Sequence, residues 1–414
     1  MTSKGRAKSK QAGSAEHLRP SVAPRVFAAI EAEEIIDHLH DDNDTLKTCS
    51  LVCRAWLLPS RYHLFGRFPS QSSWIAPTKL DDFLGILDSE TDNYISPFIR
   101  QVHFYNVCSD YSIVPFIPLL NVLNDETLTP AFKSLSFRRY ILESDDLDHI
   151  PLHRLTYLDI TKCTFETFDS LMALFSELSC VEKLLVDLVN VTSKSLPDRD
   201  CEAVLLPKLR NLELYAWMVK IIIPLLAPPP TLRDLSFGIH GIDELFIMRE
   251  FLDDLAPDLN SFSLWYGGLG RQKDIELCLQ AIDLKALALL CTFKFDMKNH
   301  ATLSDIPAVL DQITSPMINH IKISFQVKPA DIQPEEGSWR RIPAILARPN
   351  FRQLRKLEFY IDRPIHWAEK IEAWIRETLA ELELRCTAIQ VGEPKVMDSY
   401  YGADQHSTII YFFK

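Results

Sequence analysis

The segment LTYLDI (residues 155–160) decides the fold, because its pattern of apolar first, fourth and sixth positions recurs along the chain. Close copies are LRNLEL (209–214), LRDLSF (232–237) and LRKLEF (354–359). Looser copies share these apolar positions and begin at Ile99, Phe132, Val181, Leu259, Leu290 and Ile318. Consecutive copies begin 23 to 36 residues apart. This regular spacing indicates a repeat architecture rather than chance matches.

Each copy predicts a short strand with one buried face, because side chains alternate between the two faces of a strand. The fifth position is polar in most copies, as at Asp159 and Glu213, and Leu185 is the exception. Between the strands, apolar residues recur at steps of three and four, which predicts helices. Strand and helix at a constant period predict an α/β solenoid with a parallel sheet on its concave side. The alternative is an ordinary α/β globule whose strands are unrelated.

A second pattern lies near the N-terminus, in DTLKTCSLVCRAWLLPSRYHLF (44–65). Its apolar residues recur at steps of three or four and are Leu46, Cys49, Val52, Cys53 and Trp56. This spacing predicts one helix, with Asp44 as its N-cap and Pro59 at its end. A shorter apolar segment (35–39) and a polar turn (41–43) precede it. Together they predict a helical hairpin that is too short to bury a core of its own.

At these residues the chain resembles an F-box. CSLVCRAW (49–56) and SRYHLF (60–65) resemble the second half of the F-box of fungal proteins, and IIDHLHDDNDTL (35–46) is similar to its middle. Where that family usually opens with Leu-Pro and an acidic residue, this chain has Phe27-Ala28-Ala29-Ile30. The resemblance implies binding to a Skp-family adaptor and through it to a cullin. The alternative is that the hairpin is only an N-terminal cap on the solenoid.

The repeats resemble the irregular leucine-rich repeats that often follow an F-box. Regular repeats carry an Asn three residues after the last apolar position, and it is absent here. Cys163 stands at that position once, as in the cysteine-containing repeats, and Trp217, His240 and Gly267 stand there elsewhere. The sequence therefore predicts no inter-strand Asn ladder.

These patterns divide the chain into five predicted segments. They are a disordered tail (1–24), an F-box-like domain (25–66), a linker with a helix (67–97), a leucine-rich-repeat-like solenoid (98–363) and a C-terminal capping segment (364–414). The capping segment contains an amphipathic helical pattern from Trp367 to Leu379 and two predicted strands (382–391 and 409–413). We expect this segment to cover the open end of the solenoid.

Composition and charge exclude several classes of protein. The formal net charge of −12 disfavours nucleic-acid binding, and no apolar run reaches the length of a membrane span. The cysteines form no C-x-x-C pairs, which indicates reduced thiols and a cytoplasmic and/or nuclear location. Cys49 and Cys53, with His38 and His40 upstream, fit either a zinc site or cysteines that fill a helical face. Catalytic motifs are lacking, so we expect no enzymatic activity, no cofactor and no metal.

The sequence therefore predicts a substrate-recognition subunit of an SCF-type ubiquitin ligase. The alternative function is a leucine-rich-repeat interaction scaffold without ligase engagement. The predicted adaptor-binding residues are Phe27, Ile30, Leu51, Val52, Trp56 and Leu57.

The predicted target-binding residues lie at the seventh position of the repeats, which shares a strand face with the third and fifth positions. Tyrosine, tryptophan and arginine are the residue types that anchor protein interfaces. The residues are Tyr105, Arg138, Tyr215, Trp265 and Tyr360. The alternative is that these rings pack laterally on neighbouring strands.

Overall fold

A computed structural model describes most of the chain and divides it into two compact units, Met1–Arg67 and Phe68–Lys414. The described residues are 34–40, 42–68, 84–85, 95–105, 116–193, 203–215, 217–255, 258–266, 282–297, 305–326, 341–362, 377, 388–392 and 409–412. The predicted tail, Phe27, Ile30 and all of the predicted C-terminal helix except residue 377 lie outside this part.

The first unit contains the helical hairpin. Its helices are α1 (34–38), α2 (Asn43–Cys49) and α3 (Arg54–Gly66). The predicted N-cap at Asp44 is wrong, because Asp42 caps α2 and its Oδ1 accepts from the Thr45 amide at 3.0 Å. Asp44 lies in the first turn instead, where its carboxylate pairs with Lys47 at 2.9 Å. The acidic group is still close to the helix N-terminus, which the helix dipole favours.

The single helix predicted from Asp44 to Pro59 is also wrong. Helix α2 stops at Ser50, whose hydroxyl donates to the Lys47 carbonyl at 2.6 Å. Such a local side-chain hydrogen bond competes with continuation of a helix. Helix α3 then begins after Cys53, and Pro59 lies inside it rather than at its end. Val52 and Cys53 therefore leave the predicted apolar face and are exposed.

The prediction that the hairpin is too short to bury a core of its own is wrong, because a small core lies within it. Ile36, Leu46 and Cys49 are buried, and Leu39, Trp56 and Leu64 pack around them. His63 Nε2 of α3 lies 2.7 Å from Asp37 Oδ1 of α1, so a polar contact also joins the two helices. A short strand, β1 (Arg67–Phe68), lies at the boundary between the two units.

The second unit is the predicted α/β solenoid, and all ten predicted repeats form strands. They are β2 (Gln101–Tyr105), β3 (Ser134–Arg138), β5 (Tyr157–Thr161), β7 (Lys183–Asp187), β9 (Asn211–Tyr215), β10 (Asp234–Ile239), β11 (Ser261–Tyr266), β12 (Thr292–Met297), β13 (His320–Gln326) and β14 (Lys356–Asp362).

The ten strands pair in parallel, in chain order. In every pair, equal repeat positions lie opposite each other; Asp159 of β5, for example, pairs with Ser136 of β3 and Leu185 of β7. Each position of the repeat therefore forms a continuous row across the sheet.

Apolar rows face the helices and form one continuous core. The first, fourth and sixth positions of the third repeat, Leu155, Leu158 and Ile160, are fully buried, as are helix residues such as Leu171 and Leu174. The helices on this side are Ile117–Asn124, Ser144–Leu147, Phe168–Ser176, Met218–Ile222, Ile242–Leu255, Asp305–Gln312 and Arg341–Leu346. The third, fifth and seventh positions point away from this core, and we call their side of the sheet the open face.

Three consecutive repeats continue into a second, smaller sheet of β4 (Ile141–Leu142), β6 (Thr164–Phe165) and β8 (Asn190–Val191). Just before them, Arg139, Lys162 and Leu188 have φ values of 62°, 55° and 50°, a left-handed conformation that turns the chain at the eighth position. Backbone hydrogen bonds then link neighbouring repeats, as from the Arg139 amide to the Thr161 carbonyl at 3.0 Å.

Cys163 takes part in the same linkage. Its Sγ donates to the Phe137 carbonyl of the preceding repeat at 3.4 Å. This buried thiol and the backbone contacts thus connect repeats that lack the Asn of regular leucine-rich repeats.

Two further strands follow the repeats, close to the two predicted for the capping segment. β15 (Ala388–Gly392) pairs in parallel with β14, and β16 (Ile409–Phe412) pairs antiparallel with β15. The change of direction at β16 ends the parallel ladder, so both strands extend the edge of the sheet beyond the last repeat.

Candidate protein-interaction sites

The turn between α2 and α3 exposes two apolar side chains. Leu51 is 86% exposed and Val52 is 60% exposed, although both are large and apolar. Ile35, Leu58 and Tyr62 of the same unit are also at least two-fifths exposed. Exposed apolar side chains in one small unit are typical of an interaction surface.

Trp56 and Leu57, the other described residues of the predicted adaptor site, are half-buried. Trp56 packs against the hairpin core formed by Ile36, Leu46 and Cys49. It therefore contributes to the stability of the hairpin, whereas Leu51 and Val52 contribute little to that core. The sequence predicted all four residues to lie at the adaptor-facing side and could not separate the two roles.

The predicted target residues all lie in one row of the open face, but they form three separate groups along that row. Arg138 lies three strands from Tyr215, and Tyr360 lies three strands from Trp265, so each gap is about 14 Å. Tyr105 is placed in β2 by its backbone. Tyr105 pairs directly with Arg138, and Tyr215 and Trp265 lie on the two strands that flank β10, in the middle of the row.

Gly238 leaves room for both rings. Leu214 pairs with Phe237, which places Tyr215 beside Gly238, and Gly238 pairs with Trp265. A Cβ added at Gly238 would lie 2.7 Å from Tyr215 Cδ1 and 3.0 Å from Trp265 Cε3. Edges of both rings therefore occupy the space that a side chain would fill. We call Tyr215, Gly238 and Trp265 the aromatic platform.

A hydrogen bond holds one ring of the platform, and an aromatic contact holds the other. Tyr215 Oη lies 3.1 Å from Ser236 Oγ, and the ring of His240 packs edge-on against Trp265 with centroids 4.9 Å apart. The His240 backbone is fixed in turn, since its amide donates to the buried Glu244 carboxylate at 2.5 Å. The roles of Gly238 and His240 were not predicted from the sequence. The available signal for Gly238 was a glycine in a row that is otherwise rich in aromatic residues.

The lateral packing that was the alternative prediction also occurs. Lys322 Nζ lies 4.3 Å from the centre of the Tyr360 ring, and Tyr360 is 9% exposed. Tyr360 thus packs against its neighbours on the sheet, while Tyr215 and Trp265 remain half-buried.

An acidic pair lies beside the platform. The Asp159 carboxylate accepts from Ser136 Oγ at 2.9 Å and from Thr161 Oγ1 at 2.7 Å, and burial raises its pKa. Burial raises the pKa of Asp187 to about 6, with Lys162 and Arg138 opposing the shift and Asp159 adding to it. Asp187 pairs directly with Tyr215, so this carboxylate borders the platform.

A different carboxylate lies at the other end of the face. Glu358 is 3% exposed, and it pairs with Lys356 and, at 3.1 Å, with His320. Burial acts to raise the pKa of Glu358, but these hydrogen bonds and charges lower it to about 2. Glu358 is therefore an ion-paired carboxylate.

Within the part of the chain that the structure describes, no cluster of His, Cys, Asp and Glu could hold a metal ion. Cys49 is buried and Cys53 is exposed, so they do not share one face. Among the same residues, every helix is too short or too polar to span a bilayer.

The chain matches no protein-family model and no curated protein in sequence. An internalin from Listeria monocytogenes is 13% identical over 71% of this chain and 75% of its own, with a TM-score of 0.32. The yeast complex of Rad7 and Elc1 gives 13% identity over 82% and 81%, with a TM-score of 0.37. A leucine-rich-repeat protein from Leptospira interrogans gives 12% over 69% and 71%, with a TM-score of 0.24. The assignment of the solenoid rests on its own strand order and register.

Proposed function

We propose that this protein is a substrate-recognition subunit of an SCF-type ubiquitin ligase. The observation that carries the proposal is the exposure of Leu51 and Val52 within CSLVCRAW, the segment that resembles an F-box. In the proposal the hairpin binds a Skp-family adaptor, and the open face of the solenoid binds a target protein. A long sheet face of this kind is the binding surface that solenoids commonly use.

The chain itself would make and break no bond in this function. It would hold the target near a ubiquitin-charged enzyme, and the rate would rise because two reactants are held in proximity. This role needs two independent surfaces, one on each compact unit. It also places the protein in the cytoplasm and/or nucleus, where a cullin is present.

A second candidate function is an interaction scaffold that does not engage a ligase. Phe27-Ala28-Ala29-Ile30 favours it, because these residues replace the usual Leu-Pro opening of an F-box. The two candidates share the open face and differ only in the adaptor contact. A test of that contact therefore separates them.

The test is capture of a purified Skp-family adaptor by the full chain and by Leu51→Glu/Val52→Glu. Full burial of one Leu contributes about 1.5–3 kcal/mol, so loss of both side chains should weaken capture more than tenfold. Leu205→Glu is the matched control, because Leu205 is 59% exposed in the other unit. Trp56 is unsuitable here, since its removal also weakens the hairpin core.

Capture of the adaptor by the wild type and Leu205→Glu, and not by the double variant, supports the ligase role. Equal capture by all three proteins rules out the assigned contact. No capture by the wild type favours the scaffold function.

A further inference from the structure

The aromatic platform lies between two acidic residues of the same row. Asp187 pairs with Tyr215 on one side, and Asp296 pairs with Trp265 on the other. The five neighbouring strands β7, β9, β10, β11 and β12 each contribute one residue. We call Asp187, Tyr215, Gly238, Trp265 and Asp296 the central row.

Charge on the open face favours a cationic partner at this row and not at the next one. The central row contains two carboxylates and no basic residue. The lysines of the same strands lie in other rows, Lys183 at the third position and the exposed Lys294 at the fifth. The fifth-position row also contains Glu213, but Lys183 pairs with it at 2.8 Å, so a basic segment meets its net attraction along the central row and repulsion from Lys294 if it slips by one row at β12.

Aromatic rings on this face already bind a cation. The Lys322 ammonium stands over the Tyr360 ring at 4.3 Å. Rings of Trp and Tyr attract ammonium and guanidinium groups, and Trp does so most strongly. The platform offers one ring of each kind, and both remain half-buried rather than fully covered.

The spacing of the row selects the shape of the partner. Neighbouring strands lie about 4.8 Å apart, so Gly238 is about 9.6 Å from each flanking carboxylate residue. A polyproline II segment rises about 3.1 Å per residue with three residues per turn, which returns to the same face after about 9.3 Å. Three side chains, one at every third residue of such a segment, would therefore lie opposite Asp187, the aromatic platform and Asp296.

We propose that the central row binds an extended target segment with a basic residue at every third position, its central cation lying on Tyr215 and Trp265. The proposal rests on the proposed function, because it describes the target of the open face. Asp296 contributes more than Asp187, since Asp187 is only 8% exposed. Lys162 and Arg138 also lie near Asp187 and weaken its attraction for a cation.

Fluorescence anisotropy with the purified full chain tests the proposal. The probe is the labelled peptide PRPPRPPRP, and the comparison peptide PPPRRRPPP has the same composition with three adjacent arginines. We expect the regularly spaced peptide to bind at least tenfold more tightly, because only its arginines match the row. Equal affinity of the two peptides, or no binding of the first, overturns the proposal.

Variants locate the peptide on the row. Trp265→Ala should weaken binding about tenfold, and Trp265→Phe should restore most of it. Gly238→Ala should weaken binding as well, because its Cβ displaces the Tyr215 ring without removing it. Asp296→Asn should weaken binding up to about fivefold and Asp187→Asn less.

Phe246→Ala is the control, since this ring is 58% exposed on the helix Ile242–Leu255 of the same unit. An effect of Phe246→Ala equal to that of Trp265→Ala overturns the assignment to the row. Adaptor capture is measured on the same preparations. A wild-type chain that binds the peptide but captures no adaptor contradicts the ligase role alone. A wild-type chain that captures the adaptor but does not bind the peptide contradicts the row alone.

Discussion

Asp187 on β7 and Glu358 on β14 lie on the same face of one sheet and are 8% and 3% exposed, yet their pKa values shift in opposite directions. Burial raises the pKa of Asp187 to about 6. His320 and Lys356 outweigh burial at Glu358 and lower its pKa to about 2. The hydrogen-bond and charge partners of a buried carboxylate, rather than its degree of burial, decide whether it stabilises the fold.

This difference separates a carboxylate that stabilises the fold from one that does not. Glu358 stabilises its end of the sheet, because its charge pairs with Lys356 and its carboxylate lies within hydrogen-bond distance of His320. Ionised Asp187 destabilises the folded chain at neutral pH, and it borders the aromatic platform. Titratable groups whose pKa values are shifted by burial are often found at binding sites. The raised pKa of Asp187 is therefore consistent with the role proposed for the central row.

The largest expected effect is at Glu358. Glu358→Gln removes the charge that pairs with Lys356 and that lies within hydrogen-bond distance of His320, and we expect the free energy of unfolding at pH 7.5 to fall by about 2 kcal/mol. This figure is reduced from that of a fully buried pair, because the Lys356 side chain is 45% exposed. Urea denaturation measures it, and an unchanged midpoint would show that Glu358 is not the stabilising carboxylate.

Asp187→Asn should act in the opposite direction. It replaces a poorly solvated charge by a neutral group of the same size, and we expect stability at pH 7.5 to rise by about 1 kcal/mol. Asp145→Asn is the control, since Asp145 is exposed on the helix side. Destabilisation by Asp187→Asn would mean that Lys162 and Arg138 fully compensate this carboxylate.

The pH dependence of stability should differ between the two sites. Folded Asp187 keeps its proton up to about pH 6, whereas the unfolded chain loses it near pH 4, so this contribution to stability falls as pH rises between these values. Glu358 contributes above pH 4.5 and its contribution is lost as pH falls toward 2. Stability of the wild type minus that of each variant, measured from pH 3 to pH 8, should show the two opposite slopes. Parallel profiles would contradict the comparison.

The smallest expected effect is at Asp159. Its negative charge is one of the causes that raise the pKa of Asp187, so Asp159→Asn should move that pKa toward its ordinary value. NMR titration of the Asp187 carboxyl carbon measures the change. A pKa of Asp187 that stays near 6 would assign the whole shift to burial.

The strands of the solenoid were predictable because the signal is both local and repeated. An apolar residue at the first, fourth and sixth positions of ten segments fixed the strands, and equal positions then formed rows, as Asp159 does with Ser136 and Leu185. A seventh-position row containing Tyr215 and Trp265 followed from the alternation of side chains alone. The contacts of each residue in a row depend on residues of the neighbouring strands, so they could not be predicted from one repeat.

The misses come from competing local interactions. The Ser50 hydroxyl ends helix α2 by binding the Lys47 carbonyl, although the apolar periodicity continues past it. Asp42 and Asp44 both suit a helix N-terminus, and composition does not choose between them. The approach of two rings to Gly238 was missed because it depends on the absence of a side chain.

A bridging measurement tests the central claim that two separate surfaces serve one function. Beads carrying the peptide PRPPRPPRP are mixed with a purified Skp-family adaptor, with and without the full chain. Adaptor should be retained only when the wild-type chain is present. Leu51→Glu/Val52→Glu should stay on the beads without adaptor, and Trp265→Ala should bind adaptor in solution without reaching the beads. Failure of the wild type to retain adaptor, or retention by both variants, would contradict the account.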